Sequence, residues 1–357
     1  MIKIGAWHYT DLCNLNNNLF RNTEAGIGDE ALLGTVELAL RAKKLGVQIE
    51  ILNLDKIHDY DIILCFDVFW KNKSLIKKVM GRHLEVYQKL KNFKGHKYLI
   101  LHECEVVHEQ NWNKENHFIF DKIFTWADDY VDDKRYFKLN CAPRQINHCS
   151  ERFVSSPKKF ASMICSNIVN SRSNELYSFR RKIIEHACQF YPSSFDLYGK
   201  GWDQFSLDRK YLIGRLFNKA SSKLEIIRVK NSRYSDVYRG VLLTKEFGIR
   251  DYKFHFCLEN AQSYPGYVTE KIFDAMRYGS IPVYLGAPNI SDLIPEGCFV
   301  DIKKFSGIDH LFNFLSEMSD AERHRYLSNI DEFLSSEKRY PFSVDCYVST
   351  LIGHFVN

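Results

Sequence analysis

Between residues 252 and 301 the chain gathers groups suited to holding an anionic leaving group. Tyr252-Lys253-Phe254-His255-Phe256-Cys257-Leu258 reads as a strand running into Glu259-Asn260, Pro265-Gly266 makes a turn, and Tyr267-Val268-Thr269-Glu270-Lys271 opens a helical pattern. Thr269 stands where a helix cap belongs, and Glu270 and Lys271 fall in the first turn, beside backbone N–H groups that favour anions. A diphosphate suits that place. Lys271 supplies a mobile positive charge for it, and Glu270 can accept two hydroxyl hydrogen bonds of the kind a ribose offers. Taken alone, Glu and Lys at a helix start are more often just dipole complement and solvated charge, so the surrounding residues must decide.

Other groups could complete a reaction. A hydroxyl that attacks must lose a proton, and a carboxylate is the usual base for it; two carboxylates, Glu103 and Glu105, follow the strand-like run Tyr98 to Leu101. Arg172, Arg180 and Arg181 lie in and after the polar run from Ser166 to Asn174 and offer cations. The pairs Asp128-Asp129 and Asp132-Asp133 have a composition that could chelate Mg²⁺ or Mn²⁺, but exposed acids after a strand are common. The 13 histidines show no ligand spacing such as H-E-x-x-H. His102 and His108 flank the carboxylates, and Gly26-Ile27-Gly28-Asp29 reads as a strand-to-helix turn.

The elements that must position these groups alternate between strand and helix. Ile2 to Trp7, Val47 to Leu52, Asp61 to Phe66, Tyr98 to Leu101 and Ile123 to Trp126 read as strands, with helical spacing from Leu32 to Leu45 and over Lys73 to Phe93. Cys141 to Lys159, with Pro143 and Pro157, marks a boundary. The alternation then restarts, with strands over Phe160 to Cys165, Phe195 to Tyr198, Phe254 to Leu258 and Ile281 to Leu285, and helices over Glu175 to Phe190 and Thr269 to Tyr278. We expect an α/β protein of two Rossmann-like domains facing across a cleft, residues 1–150 and 151–357, with the last helix free to pack back on the first domain. Ligands in such sheets gather at the carboxyl ends of strands.

Composition narrows the class. A chain of 357 residues suits two domains, and a net charge of +5 is too small to argue for nucleic-acid binding. The 10 cysteines are scattered without a C-x-x-C pair, which reads as reduced thiols. Met1 opens directly on a strand, without the pattern of a signal peptide, and no apolar run is long enough to span a bilayer, so we expect a cytoplasmic protein. The basic stretch 209–233 reads as a solvated face or, alternatively, as a peripheral contact with an anionic membrane.

Tyr252-Lys253-Phe254, the strand ending in Glu259-Asn260, Gly266-Tyr267-Val268-Thr269-Glu270-Lys271-Ile272 and Ile281-Pro282-Val283-Tyr284-Leu285-Gly286-Ala287-Pro288 together resemble the donor-binding signature of the α-1,3-fucosyltransferase family, glycosyltransferase family 10. Phe195-Asp196-Leu197-Tyr198-Gly199-Lys200-Gly201-Trp202 and Lys338-Arg339-Tyr340-Pro341-Phe342-Ser343 extend the likeness, which covers roughly residues 98 to 350. The resemblance implies an inverting, metal-independent enzyme of the two-domain GT-B type, moving L-fucose from GDP-fucose to a glycan acceptor, with an α-1,3 linkage to GlcNAc. It gives donor contacts to Asn260, Tyr267, Glu270, Lys271 and Lys253, and a further cation to Arg172. Glu103 occupies the place of the family's proposed base, although Cys104 and Glu105 stand where many relatives have prolines. A transferase using another GDP-sugar, or a non-catalytic glycan- or nucleotide-binding module, are the alternatives.

Overall fold

The computed structural model describes residues 1–14, 18–21, 23, 30–68, 81–140, 159–221 and 231–356. Two compact units divide the chain. The first takes Met1–Gln145, Pro265–Tyr267 and Tyr340–Asn357, and the second takes Ile146–Tyr264 and Val268–Arg339. The boundary expected at residue 150, the turn at Gly26–Asp29, the start of the helix expected from Lys73, and Lys223, Arg228 and Lys230 of the basic stretch lie outside the described residues.

In the first unit, β1 (Ile2–His8), β2 (Val47–Ile51), β3 (Ile62–Phe66), β4 (His96–Leu101), β5 (Lys122–Thr125) and β6 (Tyr136–Lys138) form a sheet of order β2-β1-β3-β4-β5-β6. Every pairing is parallel. The helices are α1 (Asp11–Asn14), α2 (Asn18–Arg21), α3 (Leu33–Lys44) and α4 (Gly81–Asn92). β3 reads Ile-Ile-Leu-Cys-Phe and is buried throughout, as befits a strand covered on both faces of a parallel sheet. Its alternation sends Leu64 and Phe66 into a cluster with Leu38 and Ala42 of α3, and Ile63 and Cys65 into another with Val86 and Leu90 of α4. Because β1 lies between β2 and β3, the strand order reverses between β1 and β3, and their carboxyl ends frame a natural binding place.

The second unit repeats the plan. β7 (Lys159–Ile164), β8 (Phe195–Tyr198), β9 (Tyr252–Leu258), β10 (Ile281–Leu285) and β11 (Val300–Asp301) form a parallel sheet of order β11-β10-β9-β7-β8, so the reversal falls between β7 and β9. Its helices are α5 (Tyr177–Phe190), α6 (Leu212–Ser221), α7 (Glu270–Arg277), α8 (Ile290–Leu293), α9 (Ile308–Glu317) and α10 (Asp320–Ser335). The last helix, α11 (Val344–Val356), belongs to the first unit, where its Val344, Tyr347, Val348, Leu351 and Phe355 join the cluster of Ile4, Leu38 and Leu64. No described helix is long and apolar enough to cross a membrane. All eight described cysteines are free thiols.

Candidate active site

β9 delivers the chain to the reversal point of the second sheet, and Glu259, the next residue, is fully buried. A carboxylate taken out of water must be compensated. Here Oε1 accepts the Thr269 N–H at 2.8 Å, while Oε2 accepts the Thr269 hydroxyl at 2.7 Å and the Lys271 ammonium at 3.0 Å. Lys271 also donates to Thr269 Oγ1 at 2.9 Å. This corrects the capping expectation: Thr269 stands at the N-cap of α7 but makes no cap hydrogen bond with its side chain, because the hydroxyl is engaged by Glu259 and Lys271.

Burial disfavours the Lys271 ammonium, but Glu259 and then Glu270 outweigh it, and the pKa rises above that of an ordinary lysine. The group is therefore a fixed cation, and its side chain remains 23% exposed. It faces a cavity of about 70 Å³ shared with Arg180, Lys245, Glu270 and Asp274. Lys245 donates to Asp274 at 2.6 Å and approaches Glu270 at 3.4 Å. Alternating cations and carboxylates at one helix start suit a ligand with both phosphate and hydroxyl groups.

Arg180 is buried, donates to the carbonyls of Leu258 (2.6 Å) and Glu259 (2.7 Å), and reaches the Asn260 side-chain oxygen at 3.1 Å. It thereby ties α5 to the end of β9 and fixes Asn260. Arg181 binds Asn167 and the Ile168 carbonyl, closing the loop between β7 and α5. Arg172 lies in that loop, its backbone N–H donating to Asn170 at 3.2 Å. Lys253 stands apart. It is the second residue of β9, five positions before Leu258, which puts it about 16 Å along the strand from the carboxyl end.

In the first unit Glu103 follows β4 and is half-buried. Its backbone is held on both sides. The Asp67 carboxylate accepts the N–H of His102 (2.7 Å) and of Glu103 (3.2 Å), and the Glu103 carbonyl accepts from Asn111 and from the Trp112 indole, both at 3.1 Å. The Trp126 indole binds the His102 carbonyl at 2.9 Å, and the Tyr9 hydroxyl reaches Glu103 Oε1 at 3.5 Å. Burial and then the Glu103 carboxylate raise the Tyr9 pKa, so the phenol stays protonated as a donor. Glu105 is exposed.

Tyr267 belongs to this unit although its neighbours Thr269 and Lys271 belong to the other. Its ring is buried 4.5 Å from that of Trp126, and its side chain hydrogen-bonds the Cys104 thiol, whose pKa burial nevertheless pushes up to about 11. The acidic pairs have local work: Asp128 binds Lys138, and Asp132 accepts the N–H groups of Lys134, Arg135 and Tyr136. Among the described residues no group of three or more His, Cys, Asp or Glu could hold a metal ion. Glu259, Thr269 and Lys245 were not singled out as site residues from sequence. A charged residue ending an apolar strand was the available signal for Glu259.

Two α/β units with all-parallel sheets give the chain the GT-B type of fold, shared with solved glycosyltransferases. A solved α1,3-fucosyltransferase with GDP-fucose superposes with a TM-score of 0.51 at 14% identity, over 100% of this chain and 90% of that one. An α-glucosyltransferase in complex with UDP-glucose and DNA containing an abasic site gives 0.58 at 13% identity, over 100% of both chains. At these identities the likeness is one of fold.

The likeness to a family lies in the segment around β9 and α7. Residues 243–333 match the model of the C-terminal domain of glycosyltransferase family 10 (fucosyltransferase), about a quarter of the chain. The alpha-(1,3)-fucosyltransferase FucT of Helicobacter pylori is 34% identical over 84 residues, 24% of this chain and 17% of that protein. An alpha-(1,4)-fucosyltransferase of Arabidopsis thaliana is 38% identical over 69 residues, 19% of this chain and 17% of that protein. The matched stretch thus spans about a sixth of the length of these relatives.

Proposed function

We propose that the protein transfers L-fucose from GDP-fucose to a hydroxyl of a glycan acceptor, inverting the configuration at C1 and forming an α-1,3 linkage to GlcNAc. The observation that carries the reading is the Lys271 ammonium held on buried Glu259 at the start of α7, at the reversal point of its sheet and inside the segment matched to the fucosyltransferase family. In this mechanism Lys271 and the first N–H groups of α7 receive the departing diphosphate, with Arg172 as a second cation. Glu270 accepts the ribose hydroxyls, and Asn260 completes the donor contacts. Glu103 takes the proton of the attacking hydroxyl, its peptide fixed by Asp67, Asn111 and Trp112. Fixed cations stabilise the charge that develops on the leaving group, and no metal ion is required.

The test is GDP release by purified protein in the presence of EDTA, with GDP-fucose, other GDP-sugars and UDP-glucose as donors and a panel of N-acetyllactosamine-type and other galactoside acceptors. We expect turnover with GDP-fucose that survives EDTA and falls about 10²- to 10⁴-fold in Glu103→Gln and at least about 10²-fold in Lys271→Ala. Product analysis by NMR gives the anomeric configuration and the linkage. Preference for another donor would replace the substrate, and tight GDP binding without turnover for any acceptor would overturn the reaction.

A further inference from the structure

The basic stretch contains an element that the donor site does not use. From Arg209 to Ser221 there is no acidic residue, and four cations, Arg209, Lys210, Arg215 and Lys219, are all exposed. The inner face of α6 is fixed by three positions at helical spacing. Gly214 is buried so tightly that a Cβ there would lie 1.9 Å from the Asp208 carbonyl. The Asn218 side chain accepts the Leu207 N–H at 2.9 Å and donates to the Leu207 carbonyl at 2.7 Å, and Ser221 is buried. The nearest acid, Asp208, is engaged by the N–H groups of Ser171 and Lys210.

With that face inward, the apolar side chains point outward. Tyr211, Leu212, Ile213 and Leu216 are 61%, 49%, 76% and 57% exposed. Single exposed leucines are ordinary, but four large apolar side chains within six positions are not. The element also cannot span a bilayer, since ten residues cover only about 15 Å. Exposed apolar side chains flanked by cations match one kind of surface well, a hydrocarbon layer beneath a sheet of phosphates. A nucleic-acid backbone would satisfy the cations and leave the apolar centre in water.

We propose that α6 docks this protein on an anionic phospholipid bilayer, with Tyr211, Ile213 and Leu216 entering the headgroup layer and Arg209, Lys210, Arg215 and Lys219 binding its phosphates. The test is co-sedimentation of the full chain with vesicles of phosphatidylcholine alone and of phosphatidylcholine mixed with phosphatidylglycerol. Binding is expected to the mixed vesicles and to weaken with salt. Arg209→Gln with Lys210→Gln should lower it about twenty-five-fold, at roughly fivefold per cation. Ile213→Glu with Leu216→Glu should lower it at least about a hundredfold. All four side chains are exposed, so circular dichroism and melting temperature should match the parent and separate lost docking from lost folding. Equal binding to neutral vesicles, or undiminished binding by the Ile213→Glu, Leu216→Glu chain, would overturn the proposal. So would a dimer in analytical ultracentrifugation that the same pair of substitutions dissociates, since the face would then belong to a second copy.

Discussion

Asp67 shapes the Glu103 loop from 36 positions away. It sits at φ 59°, a left-handed conformation that aspartate tolerates better than most residues, and this places its carboxylate under the end of β4. One oxygen accepts from His102, Glu103 and the Asn111 amide, while the other is buried and makes no hydrogen bond. Burial raises its pKa to about 6 against the pull of those three donors. Glu103 was readable as a carboxylate directly after an apolar strand, but nothing in Ile-Ile-Leu-Cys-Phe-Asp marks Asp67 as its support, because that role depends on pairing between β3 and β4. Asp67→Ala should cost about 3 kcal/mol or more in urea unfolding, since it strands three donors. Asp67→Asn keeps the accepting oxygen and should cost clearly less. Equal losses in the two variants would mean that packing, not hydrogen bonding, is what Asp67 supplies.

At the scale of elements, the turn between β9 and α7 is the critical joint. Gly266 has φ +81°, and a Cβ on it would fall 2.3 Å from the Trp126 carbonyl. Gly266→Ala therefore meets both backbone strain and a collision, and should destabilise the protein by about 2 kcal/mol or more, read as a lower melting temperature. If alanine left the melting temperature unchanged, the close approach to Trp126 could not be what holds the turn. The same joint shows what linear reading captures. The apolar runs of β3 and β10 and the helical spacing of α5 and α7 identified their elements, because burial and periodicity are local. The resemblance grouped Tyr267 and Lys253 with Lys271 as donor contacts. A strand carries residues apart at about 3.3 Å per step, which takes Lys253 away from the carboxyl end, and the turn packs Tyr267 into the first unit. Two- and three-residue strands such as β11 and β6 carry too little pattern to be read singly.

Buried imidazoles set the response of the whole molecule to acid. Burial, and then the charge of His102, lowers the His8 pKa to about 3. Burial lowers that of His102 to about 4, and burial with a contribution from Lys245 lowers that of His255 to about 3. An unfolded histidine takes a proton near pH 6.5. Each of these groups therefore stabilises the fold above that pH, and the contribution is lost as the pH falls below it, by about 2 kcal/mol apiece at pH 5. Asp67 works in the opposite sense. Its folded pKa lies above the unfolded value of 3.8, so protonation returns about 1 kcal/mol to the fold between pH 6 and pH 5. His8, His102 and Asp67 belong to the first unit and His255 to the second. The remaining lowered histidines weigh the same way, with His117 and His354 in the first unit and His186 in the second. Acidification from pH 7 to pH 5 should therefore weaken both units, and the first, which holds four of the six lowered imidazoles, the more. Hydrogen exchange followed by mass spectrometry resolves this by peptide. Amides of β1, β3 and β4 should lose more protection at pH 5 than those of β7, β9 and β10. The reverse order would show that the imidazoles of the first unit are not the groups that limit its stability in acid.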